Sequence, residues 1–83
     1  IPGNPMFEVY PNPSFGWIRL QLENSDSVVN LQLYNQLGQL VREWPNAHSK
    51  SLIETSNLSA GAYYLHAIQE DGKSLGVLSI HLR

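Results

Sequence analysis

Apolar and polar residues alternate with a period of two through most of this chain. In Trp17–Leu22, Ile18, Leu20 and Leu22 fall on one side, while Trp17, Arg19 and Gln21 fall on the other. Val29, Leu31 and Leu33 repeat the pattern against Asn30, Gln32 and Tyr34, followed later by Tyr63, Leu65 and Ala67 and then by Leu78, Ile80 and Leu82. Successive side chains of a strand point to opposite faces, so each set is the buried face of a half-buried strand. Helical spacing has no comparable support, because glycines, prolines and clusters of turn formers interrupt every long window.

Turn signals separate these runs at the spacing of a sandwich or a barrel. Glu23–Ser27 is a polar loop, and Pro45–Lys50 reads as another. Asn35–Gly38 suits a tight hairpin with Gly38 at positive φ, and Asp71-Gly72 favours a type I′ turn. Seven strands are predicted: Met6–Tyr10, Trp17–Leu22, Val28–Asn35, Gln39–Trp44, Ser51–Thr55, Ala62–Gln69 and Leu75–Leu82. Gly76 inside the last run marks a bulge or a close backbone approach. Seven short antiparallel strands most simply form an all-β sandwich of two packed sheets, with a small barrel as the competing closure.

Two prolines interrupt this pattern in VYPNPSFGWIRLQL, Val9–Leu22. Neither Pro11 nor Pro13 has an N–H to give to a ladder, and each biases its predecessor, Tyr10 and Asn12, toward extended backbone. Tyr10–Pro13 is therefore a stiff strap at an edge or corner, and an edge lined with proline resists pairing with another chain.

The composition narrows the function. Eighty-three residues make one domain, 42% hydrophobic and 14% charged, which suits a folded module. Such a chain buries about 60–65% of its unfolded surface, so its core is small. The net charge is −2 and the basic residues Arg19, Arg42, Lys50, Lys73 and Arg83 are scattered, which argues against nucleic-acid binding. There is no cysteine, hence neither disulfide framework nor thiolate metal site. No apolar run reaches the ~20 residues needed for a membrane-spanning helix. Ile1–Pro5, with two prolines and a glycine, reads as a linker from the preceding part of a longer, exported protein, leaving 6–83 as the folded domain.

Candidate chemistry is sparse. His48, His66 and His81 lack any recognised ligand spacing, although His66 and His81 could share an outer face. Glu23 and Asp26 are too few for a calcium cage, which takes ~6–8 oxygen ligands. No serine sits in a nucleophile elbow, and the only aspartates, Asp26 and Asp71, lie in turns. A sandwich this small leaves little room for a pocket of ~300 Å³. No metal, cofactor or catalytic group is expected. Trp17 opposes the apolar side of its strand and Trp44 precedes Pro45; if both are exposed they could form a sugar-stacking platform, the mark of an adhesive or carbohydrate-binding module.

The order of features resembles the C-terminal sorting domain, type A, of the type IX (Por) secretion system. The similarity runs from about Met6 to Arg83. The family's proline-asparagine-proline motif falls on Pro11, Asn12 and Pro13; its tyrosine, turn glycine and valine on Tyr34, Gly38 and Val41; and its leucine, glycine and tyrosine on Leu58, Gly61 and Tyr63. The last six read as structural, with Tyr63 in the core and its hydroxyl reaching a partner at the rim. One feature departs from the family: its usual lysine ahead of the last strand is missing, and nothing basic lies between Ser74 and Leu82. The resemblance implies an immunoglobulin-like sandwich, a non-catalytic address that sends its cargo through the periplasm and the outer-membrane secretion machinery to the cell surface or beyond. It also implies removal by a sortase. Tyr10, Pro11, Asn12 and Pro13, together with Leu78, Ile80, Leu82 and Arg83, are the expected recognition residues.

Overall fold

The computed structural model describes residues 6–24 and 26–83; the expected linker, residues 1–5, lies outside them. The described residues form seven strands and no helix: β1 (Phe7–Tyr10), β2 (Trp17–Leu22), β3 (Val28–Tyr34), β4 (Leu40–His48), β5 (Leu52–Glu54), β6 (Gly61–Gln69) and β7 (Ser74–Leu82). They make two antiparallel sheets, ordered β1-β2-β5 and β4-β3-β6-β7. The closure is thus a sandwich of the immunoglobulin-like kind, and not a barrel.

The alternation seen in the sequence decides what lies between the sheets. Phe7, Ile18, Leu20, Leu22 and Ile53 face inward from the three-stranded sheet, and Val29, Leu31, Leu33, Tyr63, Leu65, Ala67, Ile80 and Leu82 from the other. Burying each large aliphatic side chain contributes about 1.5–3 kcal/mol against the entropy of ordering the chain. Leu78 is half-buried and packs against this core with Val41, Trp44 and Leu58.

Two expectations are corrected. Pro45–His48 is strand, not loop: β4 continues through it, and the turn is confined to His48–Ser51, closed by the Ser51 N–H donating to the His48 carbonyl at 2.9 Å. Proline is tolerated here because β4 is an edge strand and Pro45 lies in a bulge, where Pro45 and Asn46 together oppose Asn30. Nor is the Asp71-Gly72 turn of type I′, which needs positive φ at both central residues; only Gly72 has it, at 89°. The Gly72 N–H donates to the Gln69 carbonyl and the Gln69 N–H to the Lys73 carbonyl, a four-residue turn closed by a left-handed glycine. The Asn35–Gln39 turn repeats this bonding with Gly38 at 81°, where the Asn35 Oδ1 also accepts from the Leu37 and Gln39 N–H groups. The bulge near Gly76 is present, between the pairs Ala67–Gly76 and Ile68–Ser74.

Candidate recognition surface: the strap and the last strand

The strap leaves β1 at the edge of one sheet and crosses to β7 at the edge of the other. Its contacts are unusual in kind. Asn12 stands between two residues without N–H groups, and its side chain does the pairing. The Asn12 Nδ2 donates to the Ser79 carbonyl at 3.2 Å, and its Oδ1 accepts from the His81 N–H at 3.0 Å. Backbone pairing resumes two residues on. The Ser14 N–H donates to the His81 carbonyl at 2.8 Å, and the Arg83 N–H donates to the Ser14 carbonyl at 2.9 Å, making a parallel bridge between Ser14 and Leu82. Ahead of the strap, the Met6 N–H donates to the Leu75 carbonyl at 2.9 Å.

Ser14 anchors the end of the strap inside the sandwich. Its buried Oγ donates to the Trp17 carbonyl at 2.8 Å and lies 3.3 Å from the Thr55 Oγ1, itself buried. These hydroxyls supply each other with partners that burial would otherwise deny. Next to them the Arg83 guanidinium lies 6.0 Å from the centre of the exposed Phe15 ring, within cation–π range.

The structure brings Tyr10–Pro13 and the last strand together, but it corrects which side chains of that strand face outward. Ile80 and Leu82 are 2% exposed and point into the core, and Leu78 packs against it. A period-two strand on a sandwich has one outward face, and here it consists of Val77, Ser79 and His81, with exposed Arg83 after them. Leu78, Ile80 and Leu82 seat the strand.

The remaining candidates disperse. Trp17 is 43% exposed on the outer face of β2, beside Arg19, whose Nη1 donates to the Lys50 carbonyl at 3.0 Å. Trp44 pairs with Leu31 in the other sheet and packs against the core. The two tryptophans do not share a face, so the platform does not assemble. His66 pairs with Val77 and His81 with Ala62, on one outer face but four residues apart along β6; His48 sits at the end of β4, its ring nitrogen 3.0 Å from the Ser51 Oγ. No group of three or more His, Asp or Glu among the described residues is arranged to hold a metal ion. A depression of about 330 Å³ between Asp26–Val28 and Gln69–Asp71 reaches the volume expected to be hard to fit, but it is an open cleft.

The motif residues have structural work. The Tyr63 hydroxyl donates to the Ser59 carbonyl at 2.7 Å, the corner typical of immunoglobulin-like sandwiches near the start of their sixth strand. Tyr34 lies on the outer face of β3 and donates to the Gln32 Oε1 at 2.7 Å. From there a polar row continues. Asn30 and Gln32 donate to the Glu43 carboxylate at 2.7 and 3.1 Å, and these bonds hold its pKa below the ordinary value. Val41 and Leu58 are partly buried against the core, and Gly61 opens β6.

Sequence reasoning missed Ser14 and the side-chain role of Asn12. A signal for the latter exists: between two residues that cannot donate, Asn12 carries the one side chain that both donates and accepts.

Together these features define a small immunoglobulin-like module whose distinctive construction is a strap sealed onto its last strand. The family model of the secretion system C-terminal sorting domain matches residues 8–80, nearly the whole chain. The chain belongs to that family: it is a sorting signal for type IX secretion, which directs an upstream cargo to the secretion machinery and toward the cell surface or extracellular space. No curated protein matches it.

Proposed function

We propose that this module is a non-catalytic address read at one surface, formed by Tyr10, Pro11, Asn12 and Pro13 with Val77, Ser79, His81 and Arg83. The observation that carries the reading is the set of hydrogen bonds that fastens Asn12 and Ser14 along β7, making one continuous surface from two distant segments. A surface held rigid before encounter avoids the ordering cost that a flexible peptide would meet at each recognition event. The cargo passes through the periplasm and is handed to the outer-membrane translocon, after which a sortase removes the module. Cleavage falls in residues 1–5 or upstream, at the boundary between the module and its cargo.

The test is delivery of a reporter fused to the chain. Deleting Leu78–Arg83 is expected to abolish appearance at the cell surface. Because that deletion also removes core residues, His81→Glu and Val77→Glu form a second arm; both are outward positions where substitution usually changes stability by less than about 0.5 kcal/mol. Reduced delivery with an unchanged unfolding midpoint supports the surface, and undiminished delivery in both arms removes it. Sortase removal is read separately: the intact mass of the mature parent protein should lack this segment.

A further inference from the structure

We infer that Asn12 is a positioning residue: its carboxamide replaces a missing strand residue and fixes the outer edge of β7 in the form that the strap displays. The functional half of this inference rests on the surface proposed above, whereas its structural half stands alone.

The geometry of the last strand shows how this device fits. In an antiparallel strand, alternate residues turn their N–H and C=O groups to the same neighbour. The groups of β7 that bond away from β6 belong to Leu75, Ser79, His81 and Arg83, all odd-numbered; Leu78, Ile80 and Leu82 alternate toward β6. An ordinary edge partner for Ser79 and His81 would offer a backbone N–H to one and a C=O to the other. Pro11 and Pro13 have no N–H to offer, and the main-chain N–H of Asn12 makes no bond to the backbone of β7. The Asn12 side chain offers one N–H donor and one C=O acceptor in a single plane, the same pair of groups as a peptide unit. It binds the Ser79 carbonyl with the first and the His81 N–H with the second. Ser14 then takes over with true backbone bonds to the His81 carbonyl and the Arg83 N–H. Four hydrogen bonds thus close the edge from Ser79 to Arg83, two of them from one side chain.

This fixes which replacements can serve. Alanine removes both bonds. Glutamine keeps the chemistry but sets the carboxamide one methylene further out, beyond the register that the stiff strap allows.

The test uses the 83-residue chain and reads amide hydrogen exchange residue by residue. In the unaltered chain the His81 and Arg83 amides, though on a sheet edge, should be protected comparably to Leu78 and Ile80. In Asn12→Ala the His81 amide should exchange about tenfold faster, the loss of roughly one hydrogen bond's stabilisation. Leu78 and Ile80 should keep their rates, and Asn12→Gln should behave like Asn12→Ala. A fused reporter carrying Asn12→Ala should reach the surface less efficiently while the unfolding midpoint falls only slightly. The inference is overturned if His81 is unprotected in the unaltered chain, a measurement that needs no variant to fold. It is equally overturned if His81 and Ile80 accelerate together in Asn12→Ala, or if His81 does not change. Failure of the terminal deletion to affect delivery would sink the recognition surface while leaving these exchange rates as expected.

Discussion

The four-stranded sheet has two edges, β4 and β7, and they are protected in opposite ways. β4 is spoiled from within. Its nine residues carry two irregularities against β3, one at Val41 and one at Pro45-Asn46, and the Arg42 guanidinium donates to the Val41 carbonyl at 2.9 Å. Bulges, proline and charge all frustrate the approach of another strand. β7 is regular from Gly76 to Leu82 once past its early bulge, and it carries no proline, Asp, Glu, Lys or Arg. Its protection comes from sixty-odd residues away, in Asn12 and Ser14. On the proposed reading, β7 must stay regular to be recognised, so it is covered by another segment and not blunted by bulges.

If the two edges differ in this way, substitutions along them should differ in cost. The largest effect should come from β7's seat. Ile80→Ala is expected to lower stability by about 2–5 kcal/mol through lost burial and the cavity it leaves, whereas Val41→Ala, half-buried on the bulged edge, should cost under about 1.5 kcal/mol. Urea midpoints compare them, and equal losses would break the contrast. Next comes the anchor of the strap. Ser14→Ala deprives the buried Thr55 hydroxyl of its partner and should cost about 1–3 kcal/mol, and adding Thr55→Val should recover part of that loss.

Smaller effects sharpen the picture of β4. Asn46 holds its bulge at φ 63°, a conformation that asparagine tolerates better than most residues. Asn46→Ala should cost about 1 kcal/mol and Asn46→Gly close to nothing, again by urea midpoint. The smallest effect concerns Glu43, whose carboxylate accepts from Asn30 and Gln32 on the exposed face. Its folded pKa lies below the ordinary 4.5, so whatever stability it contributes is present above that value and is lost as pH falls through the lower folded value. The difference in melting temperature between the natural chain and Glu43→Gln should therefore shrink on acidification below pH 4.5. A difference independent of pH would remove the role given to these hydrogen bonds.

The same contrast explains what could be read in advance. Local physics sets the inward face of each strand, so Leu20, Leu31, Leu65 and Ile80 were legible from alternation alone, as was the glycine that closes the Asn35–Gln39 turn. The extension of β4 was hidden because Pro45 and Asn46 are ordinarily loop residues, and only the edge position and the bulge make them compatible with a strand. Trp44 was ambiguous for a related reason: the bulge determines which way it faces. Nothing local tells Asn12 that its partners are Ser79 and His81, or Ser14 that it meets Thr55 and Arg83, because those pairings arise only when the two sheets close. The two prolines announce a stiff corner, but the surface that this corner completes is a property of the folded module.

The central claim is that the message lies in the folded sandwich and not in a linear tail, and it is tested most directly by Leu65→Asp. Leu65 is fully buried, distant in sequence from both the strap and β7's exposed positions, and a carboxylate there is incompatible with the core. A reporter fused to this variant, measured as surface delivery per intact fusion in the cell, should fail to reach the surface although Tyr10–Pro13 and Leu78–Arg83 are unaltered. Delivery equal to that of the natural chain, with the variant shown by circular dichroism to be unfolded, would contradict it.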